Sequence, residues 1–167
     1  MSESQPPIVF EPLHDGVVTP RRATDGAAGS DMCAFLRGRT VRIWRDTAEH
    51  SQPIGGDDRL TLEPADVALV PLGFRARLPE GYEAQVRLRS SMALRRGLIL
   101  PNAPGTIDAD YPDEWLVMTR NISARPVTIG HGERIAQIIL QRFATLEWQH
   151  GVVTRSTDRT GGLGSTG

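Results

Sequence analysis

Apolar and polar positions alternate in short runs along this chain, and nowhere do they settle into a long stretch of 3.6-residue period. The clearest run is 82–89, where Tyr82, Ala84, Val86 and Leu88 fall on one side and Glu83, Gln85, Arg87 and Arg89 on the other. A strict period of two marks a strand with one buried and one polar face. Short apolar runs predict further strands at 67–70, 74–78, 97–100, 115–119, 127–129 and 135–140, with turns at Pro79-Glu80-Gly81, Ala103-Pro104-Gly105 and His131-Gly132. Seventeen glycines and twelve prolines punctuate these runs, as in an all-β sandwich or barrel. One short helix is predicted at 91–96, where Ser90 or Ser91 can cap the first turn and Gly97 can end it in the left-handed conformation. Residues 37–59 read as a charged excursion with a possible hairpin arm in Thr40-Val41-Arg42-Ile43-Trp44. We expect it to be an insertion decorating the surface of a single domain, 1–159. Residues 160–167 are Gly, Ser and Thr apart from Leu163, so they are expected to form a mobile tail that a ligand orders.

At 167 residues the chain is the size of one domain, able to bury roughly 70% of its unfolded surface. A formal charge of -1 argues against general binding to nucleic acid or anionic membranes. There is no run of 18 apolar residues, and the opening MSESQPPIVF lacks the basic-then-apolar order of a leader. A cytoplasmic protein is the expectation. Cys33 is the single cysteine, which excludes an intrachain disulfide and a cysteine metal cluster. All 19 basic side chains are Arg, so lysine Schiff bases and the lysine of a Walker-type phosphate loop are also excluded. Any phosphate must be held by Arg, hydroxyls or backbone N–H groups. His14, His50, His131 and His150 show no metal-ligand spacing.

Two segments could carry chemistry. Arg89-Ser90-Ser91-Met92-Ala93 joins a guanidinium at a strand end to two hydroxyls at a helix start, a combination suited to an anion. In Gly105-Thr106-Ile107-Asp108-Ala109-Asp110-Tyr111, extended geometry would set Asp108 and Asp110 on one face, roughly 7 Å apart. An Asp with a reference pKa of about 3.9 is ionised at neutral pH and can take a proton from water. Taken singly, an ordinary Ser cap and an Asx turn are open readings of the same residues.

Together with Ala28-Gly29-Ser30-Asp31-Met32-Cys33-Ala34, Gly132-Glu133-Arg134-Ile135-Ala136-Gln137 and Gly161-Gly162-Leu163-Gly164-Ser165-Thr166-Gly167, these segments resemble, in order, the five motifs of the trimeric dUTPase family. The resemblance implies a jelly-roll-like subunit, a homotrimer with shared active sites, and magnesium carried by the triphosphate. The implied reaction is hydrolysis of dUTP to dUMP and diphosphate, which lowers dUTP and supplies dUMP for thymidylate synthesis. By the same likeness Asp108 is the base that activates water for attack at the α-phosphorus. Arg89, Ser90, Ser91 and Gln137 meet the phosphates, and Asp31 supports Arg89 and reaches the metal through water. Asn102 and the turn containing Gly105, Thr106 and Ile107 read uracil, while the Tyr111 ring packs under deoxyribose. Leu163, Gly164 and Ser165 of the tail close over the nucleotide, with Arg159 at the γ-phosphate and Arg155 in reserve. A dCTP deaminase of the same superfamily and a non-catalytic jelly-roll module are the competing expectations.

The chain departs from the family in four places: the 37–59 excursion has no counterpart in a minimal member, the tail Arg159 sits one residue nearer the paired glycines than is usual, and two motifs differ in sequence. Pro112-Asp113-Glu114 follows Tyr111 where a basic or polar residue and Gly are usual, and Leu163 stands where Phe is usual. Stacking a base on an aromatic ring is worth about 1–3 kcal/mol, and an aliphatic side chain keeps only part of that. Leu163→Phe is therefore expected to lower the KM for dUTP; an unchanged KM and affinity would refute this account of the tail.

Overall fold

The computed structural model describes residues 7–158. Along the chain run β1 (Val9–Pro12), β2 (Arg21–Arg22), β3 (Ser30–Cys33), β4 (Thr40–Arg45), β5 (Ala48–Pro53), β6 (Arg59–Leu62), β7 (Val67–Pro71), β8 (Phe74–Arg77) and β9 (Tyr82–Leu88). The helix α1 (Ser90–Arg96) follows, then β10 (Leu98–Ile99), β11 (Gly105–Ile107), β12 (Leu116–Asn121), β13 (Val127–Gly130) and β14 (Arg134–Arg142). Two five-stranded sheets, β10-β12-β7-β4-β5 and β11-β9-β14-β3-β2, are joined by the strand pairs β1-β8 and β13-β6. This is the jelly-roll-like, mostly β architecture expected, with one short helix.

The predicted alternation is realised most plainly in β9. Ala84 and Val86 are buried, while on the outer face Gln85 Nε2 donates to Glu83 Oε1 and Arg87 Nη2 to Gln85 Oε1, both at 2.8 Å. Residues two apart on a strand share a face, so the polar side chains bond along it. Phe74 is the hinge of the aromatic core, its ring centroid 5.0 Å from Phe10 and 5.3 Å from the buried Trp115.

The 37–59 excursion is more than decoration. Its first half, β4, pairs with both β5 and β7 and sends Val41 and Ile43 into the core. Alternation from Val41 through Ile43 lets one face of an otherwise charged segment be buried. Only β5 lies at the edge, and its residues are mostly exposed. The hairpin is pinned where β4 ends. Arg45 makes a two-pronged contact with the fully buried Asp66, Nε to Oδ1 at 2.9 Å and Nη2 to Oδ2 at 2.7 Å.

Capping of α1 also differs from the expectation. Arg89, with extended backbone, occupies the N-cap position and makes no side-chain cap, so Ser90 begins the helix and neither serine caps it. The other end is as expected: Gly97 takes φ 67° and its N–H bonds back to the last turn. There Arg96 donates to the Thr128 carbonyl at 2.8 Å and pairs with Glu133 at 2.5 Å, tying α1 to the β13–β14 turn.

Candidate active site

Antiparallel register assembles the first part of the site. Arg87 on β9 lies opposite Gln137 on β14, Gln137 opposite Asp31 on β3, and Asp31 opposite Arg21 on β2. Directly opposed residues put their side chains on one face, so four polar side chains cross four strands in a row. Arg89, two residues beyond Arg87, joins that face: its Nε is 3.3 Å from Asp31 Oδ1 and its Nη1 is 3.4 Å from the Arg134 carbonyl. Arg134 completes the cluster, with Nη1 3.0 Å from Asp31 Oδ2. One carboxylate thus faces two guanidiniums, with Arg21 and Arg87 in the same row, and the surplus of positive charge suits an anion.

Gly29 is the glycine this arrangement requires. A Cβ there would sit 2.1 Å from Gln137 Oε1 and 2.9 Å from its Cδ, so the Gln137 amide occupies the space that any larger residue would fill. Ser90 is exposed and Ser91 half-buried, and their hydroxyls make no hydrogen bond among the described residues. They stand beside the cluster with free donors and acceptors.

The second part is built on β11. Gly105, Thr106 and Ile107 pair with Val86, Gln85 and Ala84 of β9. Asn102 packs against the start of the strand, where a Cβ on Gly105 would meet Asn102 Nδ2 and Val86 Cβ at 3.3 Å each. Asp108 is exposed just past the strand end. The extended geometry expected for Asp108 and Asp110 is replaced by a turn, closed by the Tyr111 N–H on the Asp108 carbonyl at 3.2 Å. The extended alternation that would set both on one face is therefore broken. Asp110 and Tyr111 instead border a cavity of about 340 Å³ with Val9, Arg75, Ala76 and Pro112. Burial, reinforced by the nearby Asp113 carboxylate, pushes the Tyr111 phenol above its ordinary pKa, so the ring stays neutral.

The two parts lie at opposite ends of β9. Ile107 faces Ala84, so Asp108 is level with Glu83, six residues from Arg89. At about 3.4 Å per residue that is roughly 20 Å. Within one chain the structure brings Arg89, Ser90, Ser91, Gln137 and Asp31 together, and separately groups Asn102, Gly105, Thr106, Ile107, Asp108 and Tyr111. Arg159, Leu163, Gly164 and Ser165 lie outside the described residues.

Two residues escaped the sequence reading. Arg134 and Glu133 both sit inside a quoted motif, which was the available signal, but their partners Asp31 and Arg96 are far away in the chain. Three residues set aside are accounted for. His131 Nδ1 accepts the N–H groups of Leu36 and Arg37 at 3.0 and 3.2 Å, a structural task. Cys33 is half-buried, and burial raises its thiol pKa, which disfavours the reactive thiolate. Trp148 is 91% exposed in the single chain.

Comparisons with known proteins point to one family. The dUTPase family model matches residues 57–167. A curated deoxyuridine 5'-triphosphate nucleotidohydrolase of Desulfotalea psychrophila is 41% identical over 149 residues, covering 89% of this chain and 86% of that protein. In fold, the crystal structure of the Streptococcus mutans dUTPase is similar with TM-score 0.65 at 23% identity, over 84% of this chain and 99% of the other. A point mutant of the Staphylococcus bacteriophage 80alpha dUTPase is similar with TM-score 0.74 at 20% identity, over 99% of each chain. A point mutant from phage phi11 of S. aureus, described with a structural Mg(II) ion, has TM-score 0.70 at 17% identity, over 90% of this chain and 100% of that one. With a family match over well over half its length and a relative this similar across most of both chains, the chain belongs to the dUTPase family.

Proposed function

We propose that this protein hydrolyses dUTP to dUMP and diphosphate, with Asp108 as the base for water attack at the α-phosphorus. The observation that carries the reading is the grouping of Arg89 and Gln137 around one Asp31-anchored cluster, with Ser90 and Ser91 following Arg89 at the start of α1. Phosphoryl transfer asks a protein chiefly for positioning and charge neutralisation, and these groups offer both without a lysine. Asn102 and the backbone at the start of β11 form the base reader; fixed donors and acceptors reject cytosine because it leaves them unpaired. Tyr111 packs under the sugar. The tail residues Arg159, Leu163, Gly164 and Ser165 close the site. A cytoplasmic location belongs to the same reading; among the described residues no helix is long and apolar enough to cross a membrane.

The roughly 20 Å between Asp108 and Arg89 favours sites shared between copies. In a homotrimer, one copy supplies Asp108 and Tyr111 while another supplies Arg89, Ser91 and Gln137. The segment after β14 supports this: Leu146, Trp148, Val152 and Val153 are 78–96% exposed in one chain, an apolar surface of the kind that a neighbouring subunit covers. Sedimentation with and without a dUTP analogue tests the assembly; a monomer that turns over dUTP would overturn it.

The residues fit a metal that arrives with the nucleotide. Among the described residues no three His, Cys, Asp or Glu side chains converge on a cation site, and each Asp31 oxygen faces a guanidinium. Asp31 would therefore meet magnesium through the ion's water. When bound, magnesium supplies charge neutralisation on the phosphate oxygens.

Diphosphate release from dUTP, with no ammonia from dCTP, is the assay that decides the reaction. A narrower test concerns Gly29. In Gly29→Ala the new methyl group displaces the Gln137 amide, and the loss of one hydrogen bond to a charged phosphate weakens dUTP binding by about tenfold or more. Calorimetry with a nonhydrolysable analogue measures it; unchanged affinity would remove Gln137 from the phosphate site.

A further inference from the structure

Pro112-Asp113-Glu114, where the chain leaves the family pattern, holds the one side chain of 108–114 that hydrogen-bonds outside that segment among the described residues. The Glu114 side chain is only 17% exposed. Its Oε1 accepts the Gly73 N–H at 2.7 Å, its Oε2 accepts Arg39 Nη2 at 2.5 Å, and its backbone carbonyl is 3.5 Å from the Tyr111 hydroxyl. Both partners are themselves held. Gly73 has φ +76°, and a Cβ there would come within 2.7 Å of Phe35 and 2.8 Å of Val17, so its backbone cannot easily shift. Arg39 Nη1 donates to His14 Nε2 at 2.6 Å, and the His14 ring stacks on Phe35 with centroids 4.9 Å apart.

We propose that Glu114 is a positioning residue that sets the seat of Tyr111 and thereby the preference for a deoxyribonucleotide over a ribonucleotide, with Arg39 and the Gly73 N–H as its fixed points. The inference rests on the reading that Tyr111 packs under the sugar. The two ends of the turn are anchored independently. Asp108 follows directly from β11, which is paired to β9, and past Glu114 the buried Trp115 is tied by backbone bonds to Phe74 and Leu72. Between these anchors the charge-assisted contacts of the Glu114 carboxylate are the side-chain bonds that hold the Tyr111 end to the rest of the fold. Loosening Glu114 therefore moves the sugar seat and leaves the base in place. Binding that is equal in ground and transition states affects KM and leaves kcat alone.

Steady-state kinetics of the full chain with dUTP and UTP test this on Glu114→Ala, Glu114→Gln, Arg39→Ala and Tyr111→Ala. Glu114→Ala is expected to raise the dUTP KM about tenfold, keep kcat within about twofold, and narrow the dUTP-over-UTP preference in kcat/KM about tenfold. Arg39→Ala shifts the same quantities less, and Glu114→Gln, which keeps the Gly73 contact, falls between wild type and Glu114→Ala. A purely structural Glu114 would lower the melting temperature and the active fraction while leaving KM and the sugar preference untouched, and that result overturns the proposal. If Tyr111→Ala shifts both quantities and neither Glu114→Ala nor Arg39→Ala does, the positioning role alone fails. If Tyr111→Ala shifts neither, the sugar reading fails with it. Should Glu114→Ala not fold, Arg39→Ala decides, because it removes half of the clamp from outside the turn.

Discussion

Asp108→Asn is expected to bind dUTP and fail to hydrolyse it, with kcat lower by about a hundred- to ten-thousand-fold, the range for loss of a positioned general base. Asn keeps the size of the side chain and one acceptor oxygen but cannot take a proton from water at neutral pH. The exchange is clean because Asp108 is exposed and its carboxylate makes no hydrogen bond among the described residues, so there is no folded-state contact to lose. Affinity for a nonhydrolysable analogue should stay within a few-fold of wild type, and so should unfolding by urea. Full turnover in Asp108→Asn would remove the carboxylate from the mechanism. The same variant tests sharing. Mixed with Arg89→Ala copies and reassembled, it should regain activity in hybrid sites that take Asp108 from one copy and Arg89 from another. If the mixture stays as inactive as its components, each site is built within one chain.

The largest effect on stability is expected at Arg45. Asp66 is fully buried, and its carboxylate takes two guanidinium bonds from Arg45 and the Glu63 N–H at 2.9 Å. Removing the cation leaves a buried charge without its partner. Arg45→Met should therefore lower stability clearly, though by less than breaking a fully buried pair, because the Arg45 side chain is 49% exposed and water screens it. The pH dependence has a definite sign. The hydrogen bond from Arg45 holds the Asp66 carboxyl below its ordinary pKa in the folded state. Its stabilisation is thus complete above the unfolded value and is lost as pH falls through the depressed folded value. The deficit of Arg45→Met relative to wild type should be constant near neutrality and shrink in acid, below the ordinary Asp range. Urea unfolding across that range measures it; a deficit that grows on acidification would contradict the assignment.

What could be read locally was read correctly. The alternation in 82–89 is β9, Gly97 ends α1 in the left-handed region, and the strands at 67–70, 74–78 and 127–129 lie within a residue or two of their predicted bounds. Each depends on φ/ψ preference or on a period of two, properties of a few consecutive residues. The misreadings involve competition at a distance. Tolerance of long surface loops predicts decoration at 37–59, yet pairing of β4 with β7 buries two of its side chains. Spacing predicts Asp108 and Asp110 as extended neighbours, and a single backbone hydrogen bond folds them into a turn.

By itself the amino-acid order determined the strand pattern, the five motifs and so the family and its chemistry, because residue type and short spacing carry that information. Tertiary structure alone decided that Arg134 joins Arg89 on Asp31, that Glu114 rests on Gly73 and Arg39, and that Asp108 and the Asp31 cluster stand at opposite ends of one strand. Those facts follow from register and from contacts between residues 41 to 103 positions apart, whose pairing is set by which faces the closed sheets can bury together.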